Sequence, residues 1–178
     1  PNIIKHLLKF KEIMEERREN IKGNRKFYNL HWPREEKNFK KGEKILSIRM
    51  CPEYPIFSLT EEEAYVMLTF NIIKTGRTNM KYLTGLLNSK LVAFWLKYMG
   101  KMKGDDYQID KKPLMNIPIK IADEDLENKI IKLVEEIIEL KKLNKDTQDL
   151  ENQIDEMFYD LYELTEEEKG LVRNFNSK

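Results

Sequence analysis

Asn79-Met80-Lys81-Tyr82-Leu83-Thr84-Gly85-Leu86-Leu87-Asn88-Ser89-Lys90-Leu91-Val92-Ala93-Phe94-Trp95-Leu96-Lys97-Tyr98-Met99-Gly100 is the stretch on which the fold turns. Met80, Leu83, Leu86, Leu87, Leu91, Phe94, Trp95 and Tyr98 recur at helical spacing and make one apolar face. Asn88-Ser89 interrupts it. Both side chains can accept from backbone N–H groups, so either Ser89 caps a second helix after a break or one helix runs through. Tyr28, Phe94, Trp95 and Tyr98 are assigned to the core. A face this apolar must be covered, and the flanking sequence has to supply the cover.

Upstream, Asn2 to about Asn20 carries Ile3, Ile4, Leu7, Leu8, Ile13 and Met14 near helical spacing and reads as an amphipathic helix ended by Gly23-Asn24. Phe27 to Arg34 alternates aromatic and polar residues up to a proline, which fits a short strand or extended edge. Lys44 to Met50 and Ala64 to Lys74, rich in Ile, Val, Tyr and Phe, read as strands. Thr60-Glu61-Glu62-Glu63 has the capping-box pattern, so a helical turn competes for the start of the second strand.

Downstream, Gly100 and Gly104 bracket Lys101-Met102-Lys103 as a basic loop, and Pro113 and Pro118 frame an extended stretch. Leu126, Ile130, Leu133, Ile137 and Leu140 alternate steps of four and three, the spacing of a coiled-coil seam. Leu150, Ile154, Met157 and Leu161 follow after a polar connection, which predicts an antiparallel hairpin. Thr165-Glu166-Glu167-Glu168 opens a last short helix to about Phe175. The expected fold class is mixed α/β (α+β): a small β-sheet body with packed helices, then a C-terminal antiparallel helical hairpin.

The net charge of +1 over 178 residues conceals an asymmetry. Residues 1–120 hold 24 Lys+Arg against 14 Asp+Glu, net +10, and residues 121–178 hold 8 against 17, net −9. The expected division is a basic α/β body over 1–120 and an acidic helical appendage over 121–178. A basic body attracts phosphate backbones and an acidic tail is repelled by them, although solvated charge alone would give the same split.

Several classes are excluded. No apolar run approaches the roughly 20 residues a membrane span needs. Cys51 is the single cysteine, so the chain can form neither an internal disulfide nor a cysteine-based zinc site. Together these features suit a cytoplasmic protein. The start at Pro1, without an initiator Met, reads as a piece of a longer polypeptide. No Gly-rich phosphate loop occurs, and His6 and His31 stand in no catalytic motif, so neither catalytic nor metal residues are assigned.

Several segments together resemble one family. They are Pro1-Asn2-Ile3 with Arg17-Arg18-Glu19, Tyr28 to Leu30 with Trp32-Pro33-Arg34, and Lys44-Ile45-Leu46. Tyr82-Leu83 with Leu86 to Leu91, Ile117-Pro118-Ile119, Ile154-Asp155, Tyr159 to Thr165 and Glu168 complete the set. The chain resembles the C-terminal target-recognition (specificity) domain of TaqI-like adenine-specific DNA methyltransferases and of fused type IIG restriction-modification enzymes. The leucine-rich segment and Ile-Pro-Ile are also similar to type I specificity subunits.

The resemblance implies a non-catalytic recognition module that binds duplex DNA and positions the target adenine for an upstream methyltransferase domain in the same polypeptide. That domain would use S-adenosylmethionine; no cofactor is expected in this chain, whose parent could also be a type II restriction endonuclease. Base flipping for N6 methylation needs phosphate clamps and a few planar donors on the flanking bases. The candidate DNA-binding residues are Arg34, Lys37, Arg49, Lys74, Arg77, Asn79, Lys101 and Lys103. The competing reading is a helical protein-interaction or assembly module pairing through the seam at Leu126 to Leu140; an RNA-binding module lacks the aromatic sheet signature.

Overall fold

The computed structural model describes residues 2–23, 25–29 and 34–175. The chain forms two compact units, Pro1–Asn38 and Phe39–Lys178, and the change of charge sign at Lys120 falls inside the second.

In the first unit the single expected helix is three: α1 (Asn2–Leu7), α2 (Lys11–Glu15) and α3 (Arg18–Lys22), with a 3-10 turn at Leu8–Phe10. The breaks are local. Phe10 leaves helical dihedrals (φ −112°, ψ 12°), and Arg17 is extended (φ −60°, ψ 135°). The Arg17 guanidinium then donates to the carbonyls of Met14 (3.0 Å) and Phe27 (2.5 Å), tying the end of α2 to the following turn. Nothing in α1 is buried, so no packed face opposes the breaks. The strand expected over 27–34 is not present in its described part: Phe27-Tyr28 make a turn, and Trp32 and Pro33 lie outside the described residues.

The second unit begins with β1 (Lys44–Ile48), β2 (Met50–Cys51), β3 (Phe57–Thr60) and β4 (Phe70–Ile73), followed by α4 (Met80–Asn88) and α5 (Lys90–Met99). Next come β5 (Lys101–Lys103), β6 (Asp106–Gln108), α6 (Lys111–Met115), α7 (Glu124–Lys142), α8 (Gln148–Leu161) and α9 (Glu166–Asn174). Two antiparallel sheets result, ordered β3-β1-β4 and β2-β6-β5. The expected mixed α/β class is what the structure shows.

The strand expected over Lys44 to Met50 divides at Arg49 and feeds both sheets. Of the strand expected over Ala64 to Lys74 only β4 forms, and β3 was not anticipated. Thr60 ends β3 instead of capping a helix; its Oγ1 accepts the Glu62 N–H (3.2 Å) in a local turn. Lys44 is fully buried. Its Nζ donates to the carbonyls of Lys40 (2.9 Å), Gly42 (3.1 Å) and Glu62 (2.6 Å), so all three ammonium donors are used.

The core lies between the inward face of the first sheet and the helices. Ile45 and Phe57 point into it, Leu59 and Ile73 pack beside them, and α4 covers them with Leu83, Leu86 and Leu87. The break at Ser89 is real. Asn79 Oδ1 caps α4 by accepting from Lys81 N (2.8 Å), and Ser89 Oγ accepts from Val92 N (3.3 Å) at the start of α5. Asn88 grips the edge of β3, accepting from Phe57 N (3.0 Å) and donating to Phe57 O (2.8 Å). Asp155 of α8, 5% exposed, accepts the Lys90 N–H (2.8 Å).

The acidic hairpin packs on its own domain. Ile130 and Val134 of α7 and Ile154 and Phe158 of α8 are core residues, with Leu126, Leu133 and Ile137 packed against them. The seam residues thus cover α4, and the helices approach closely because residue 85 is glycine: an added Cβ would sit 3.0 Å from Val134 Cγ2. The Ile117-Pro118-Ile119 stretch is a strap held by two tyrosines. Tyr82 Oη donates to Lys120 O (2.7 Å), and Tyr162 Oη donates to Pro118 O (2.6 Å) while accepting from Lys120 N (2.9 Å). Burial pushes the Tyr82 hydroxyl up to about 12 and raises Tyr162.

Three further expectations are corrected. Lys101-Met102-Lys103 is a strand, because Gly104 (φ +64°) supplies the left-handed turn that pairs it with β6. Leu114-Met115 are helical, since Pro113 falls in the first turn of α6, where a missing N–H costs no intrahelical bond. Tyr98, assigned to the core, is 62% exposed.

Candidate nucleic-acid interface

Asp106-Tyr107-Gln108-Ile109-Asp110 alternates polar and apolar residues, as a half-buried strand must. Tyr107 and Ile109 are buried against the core, which turns Asp106, Gln108 and Asp110 outward. Lys101 stands opposite Gln108, Lys103 opposite Asp106, and Met50 opposite Gln108 on the other side, so these side chains share the outward face. Lys101 and Lys103 are exposed, while Met102 between them packs on the core.

Asp110 is the hub of this face. Its Oδ1 accepts from Arg49 Nη2 at 2.6 Å, and the Gln108 Nε2 donates to its two oxygens at 3.2 and 3.0 Å. The Arg49 bond, then the Gln108 bond, holds the Asp110 carboxyl below the usual carboxylate range, with Lys101 adding to the effect. Neither partner is sealed in: the Arg49 and Asp110 side chains are 42% and 30% exposed. The backbone beneath is stitched from both sides, by Ile109 N to Arg49 O (2.8 Å) and by Asn71 Nδ2 to Ile109 O (2.9 Å). The result is an arginine fork, a side-chain amide and two lysines on a rigid platform.

The other sequence candidates lie elsewhere. Lys74 and Arg77 follow β4 and are exposed. Ile73 pairs with Ile45 and Phe70 with Ile48, so they stand at the opposite end of the first sheet from Arg49, about 13 Å of strand away. Arg77 N donates to Thr75 Oγ1 (3.1 Å) in a tight turn. The Asn79 acceptor is engaged in capping α4, so a base contact by Asn79 has to come from its amide nitrogen. Arg34 and Lys37 belong to the first unit. Arg34 is partly buried, and Lys37 is exposed and paired with Glu35 at 2.7 Å, which raises the lysine and lowers the carboxyl.

Within residues 39–178 the candidates therefore gather in two groups: Arg49, Lys101 and Lys103 around Asp110, and Lys74, Arg77 and Asn79 before α4. Gln108 and Asp110 escaped the sequence reading, although the 106–110 alternation carried the signal. Among the described residues no cluster of His, Cys, Asp and Glu could hold a metal, and no helix is long and apolar enough to cross a membrane.

Comparison with known proteins shows the family. Residues 2–119 match the TaqI-like C-terminal specificity domain. Among curated proteins the chain is 31% identical over 160 residues to the type II methyltransferase M.MjaIV of Methanocaldococcus jannaschii, covering 87% of this chain and 53% of that protein. It is 36% identical over 70 residues to the type II methyltransferase M.HincII of Haemophilus influenzae, covering 38% of this chain and 14% of the relative. M.HindII of the same species matches with the same identity and coverage. The chain thus spans about half the length of the first of these and less of the others. The matched region runs from the first helix through both sheets to the Ile117-Pro118-Ile119 strap, and the chain belongs to the family of TaqI-like C-terminal specificity domains.

Proposed function

We propose that the chain is the DNA sequence-recognition module of an adenine-specific (N6) DNA methyltransferase or fused restriction-modification enzyme. It binds duplex DNA through residues 1–120 and holds the target adenine for a methyltransferase domain of the same polypeptide, where S-adenosylmethionine binds. In a bacterial or archaeal cell such an enzyme works in the cytoplasm. The observation that carries this reading is an arginine, an amide and two lysines gathered on one outward sheet face in a member of a specificity-domain family. Phosphate contacts position such a protein and base-edge contacts specify its site, and this face offers donors for both. The charge division at Lys120 supports it from another side, as the acidic residues 121–178 belong mainly to helices packed on the core, and the basic excess lies in residues 1–120.

The test is a salt titration of duplex binding. Neutralising about six phosphates gives a log–log slope of roughly −5. No duplex binding at low salt and high micromolar chain would refute the proposal, and stronger binding to single-stranded RNA than to duplex DNA would redirect it.

A further inference from the structure

The platform carries more chemistry than phosphate binding needs. A phosphate clamp wants exposed, mobile cations, yet Arg49 and Gln108 are both steered by Asp110, at 2.6 Å and at 3.0 to 3.2 Å. Because Asp110 only accepts, it fixes which end of the Gln108 amide faces it: Nε2 points inward to the carboxylate. The Oε1 acceptor accepts no hydrogen bond among the described residues; the two oxygens of one carboxylate lie too close together to take the two diverging Nε2 hydrogens separately, so they share one and the other points elsewhere. That pair, one acceptor and one donor on a plane, is the complement of the adenine N6/N7 edge. One Arg49 Nη donates to Asp110, which leaves the rest of the fork for an edge with two acceptors, as in guanine O6/N7.

The supporting backbone suits the task. β5 and β6 form a hairpin closed by the two residues Gly104-Asp105; β2 pairs with β6 only at Tyr107 and Gln108, so the Lys103–Asp106 end projects as a two-stranded ribbon, a shape that fits the major groove of B-DNA, with Gln108 and Arg49 at its base. Gln108 and Lys101 are cross-strand partners on its outward face, so a base reader and a phosphate ligand are held side by side.

We infer that Arg49 and Gln108, oriented by Asp110, are specificity-determining residues that read purine edges in the major groove, with Lys101 and Lys103 gripping the adjacent phosphates. Asp110 is a positioning residue. This rests on the proposed DNA-recognition function and names which face performs it.

The experiment is selection from a library of short duplexes with a randomised core, read by sequencing, using the chain and its variants. The unaltered chain enriches a motif. Gln108→Ala should lose preference at an adenine position, and Arg49→Ala at a guanine position, each by roughly fivefold or more. Arg49→Lys keeps the charge beside Asp110 but not the fork, and should lose the same preference, which guards against a misfolded Arg49→Ala. Asp110→Asn should weaken both preferences without unfolding the chain, since the Asp110 side chain makes no cap bond to α6. Lys101→Ala with Lys103→Ala should weaken all sequences alike. Folded Arg49 and Gln108 variants that enrich the original motif undiminished would overturn the inference and leave sequence recognition by the chain standing; an unaltered chain that binds duplex with no base preference would overturn it too and leave only duplex binding. Absence of binding to any duplex refutes the proposed function itself.

Discussion

Replacing Asp155 tests the joint between the acidic hairpin and the rest of the second unit. Its carboxylate is buried, accepts the Lys90 N–H at 2.8 Å and lies 3.4 Å from Lys90 Nζ. Asp155→Ala removes the acceptor from a backbone N–H at the first residue of α5. An unsatisfied buried donor costs about 1–3 kcal/mol and a lost cap about 1 kcal/mol, so about 2–3 kcal/mol is expected after allowing for overlap. In a chain of this size that lowers Tm by roughly 4–12 °C. Asp155→Asn behaves differently, because its Oδ1 still accepts from Lys90 while the buried charge is gone; a change within about 1 kcal/mol is expected.

The pH dependence separates the two effects. Burial raises the Asp155 pKa despite the Lys90 bonds, so the folded state holds this proton more tightly than the unfolded state. Its contribution to stability is therefore greatest below the unfolded pKa, near 3.8, and is lost as pH rises through the raised folded value. Carboxyls with lowered pKa values, such as Asp110, Glu163 and Glu168, impose the opposite slope on every variant alike. The difference between the unaltered chain and Asp155→Asn isolates the Asp155 share, measured by urea unfolding followed by circular dichroism across acid to neutral pH. The Asn variant should gain relative stability as pH rises. An Asn variant as damaged as Ala, or a difference that does not change with pH, would refute the reasoning.

Other predictions follow from the same packing. Gly85→Ala gains about 1 kcal/mol of helix propensity but forces a methyl to 3.0 and 3.3 Å from Val134 and Ile130, where overpacking costs about 1–3 kcal/mol; denaturant unfolding should show a net loss near 1 kcal/mol. Tyr162→Phe removes the hydroxyl that joins Pro118 O to Lys120 N and should cost about 1–2 kcal/mol, with faster amide exchange at Lys120 than in the unaltered chain. Lys101→Ala with Lys103→Ala should make the log–log salt slope of duplex binding shallower by about 1.8 if both lysines contact phosphate.

The local pattern was legible where a short-range rule was not overridden, as it was at Thr60, which ends β3. The Thr165 capping box of α9 and the two long helices of the hairpin follow from capping chemistry and helical spacing within a few residues, while at Ser89 the same chemistry left a break and a continuous helix both open. The site was legible in part. Arg49, Lys101 and Lys103 could be named by residue type, but their gathering depends on pairings between segments about fifty residues apart, which no local rule encodes. Asp110 carries no mark in the sequence that sets it apart from other acids, and its contacts with Arg49 and Gln108 make it the organiser of the face.

The sequence by itself determined the two long helices of the hairpin, the capped start of α9, the mixed class, the segregation of charge and the family, because caps, periodicity and ordered motifs are properties of neighbouring residues. Only the tertiary structure decided that Lys44 is buried on three carbonyls, that Lys101–Lys103 is a strand, and that the seam of α7 faces α4 over Gly85. The first and last of those outcomes depend on which distant group satisfies a buried donor or fills a space, and the strand at Lys101–Lys103 depends on β2 and the core that β6 packs against; those partners are chosen by the packing of the whole chain.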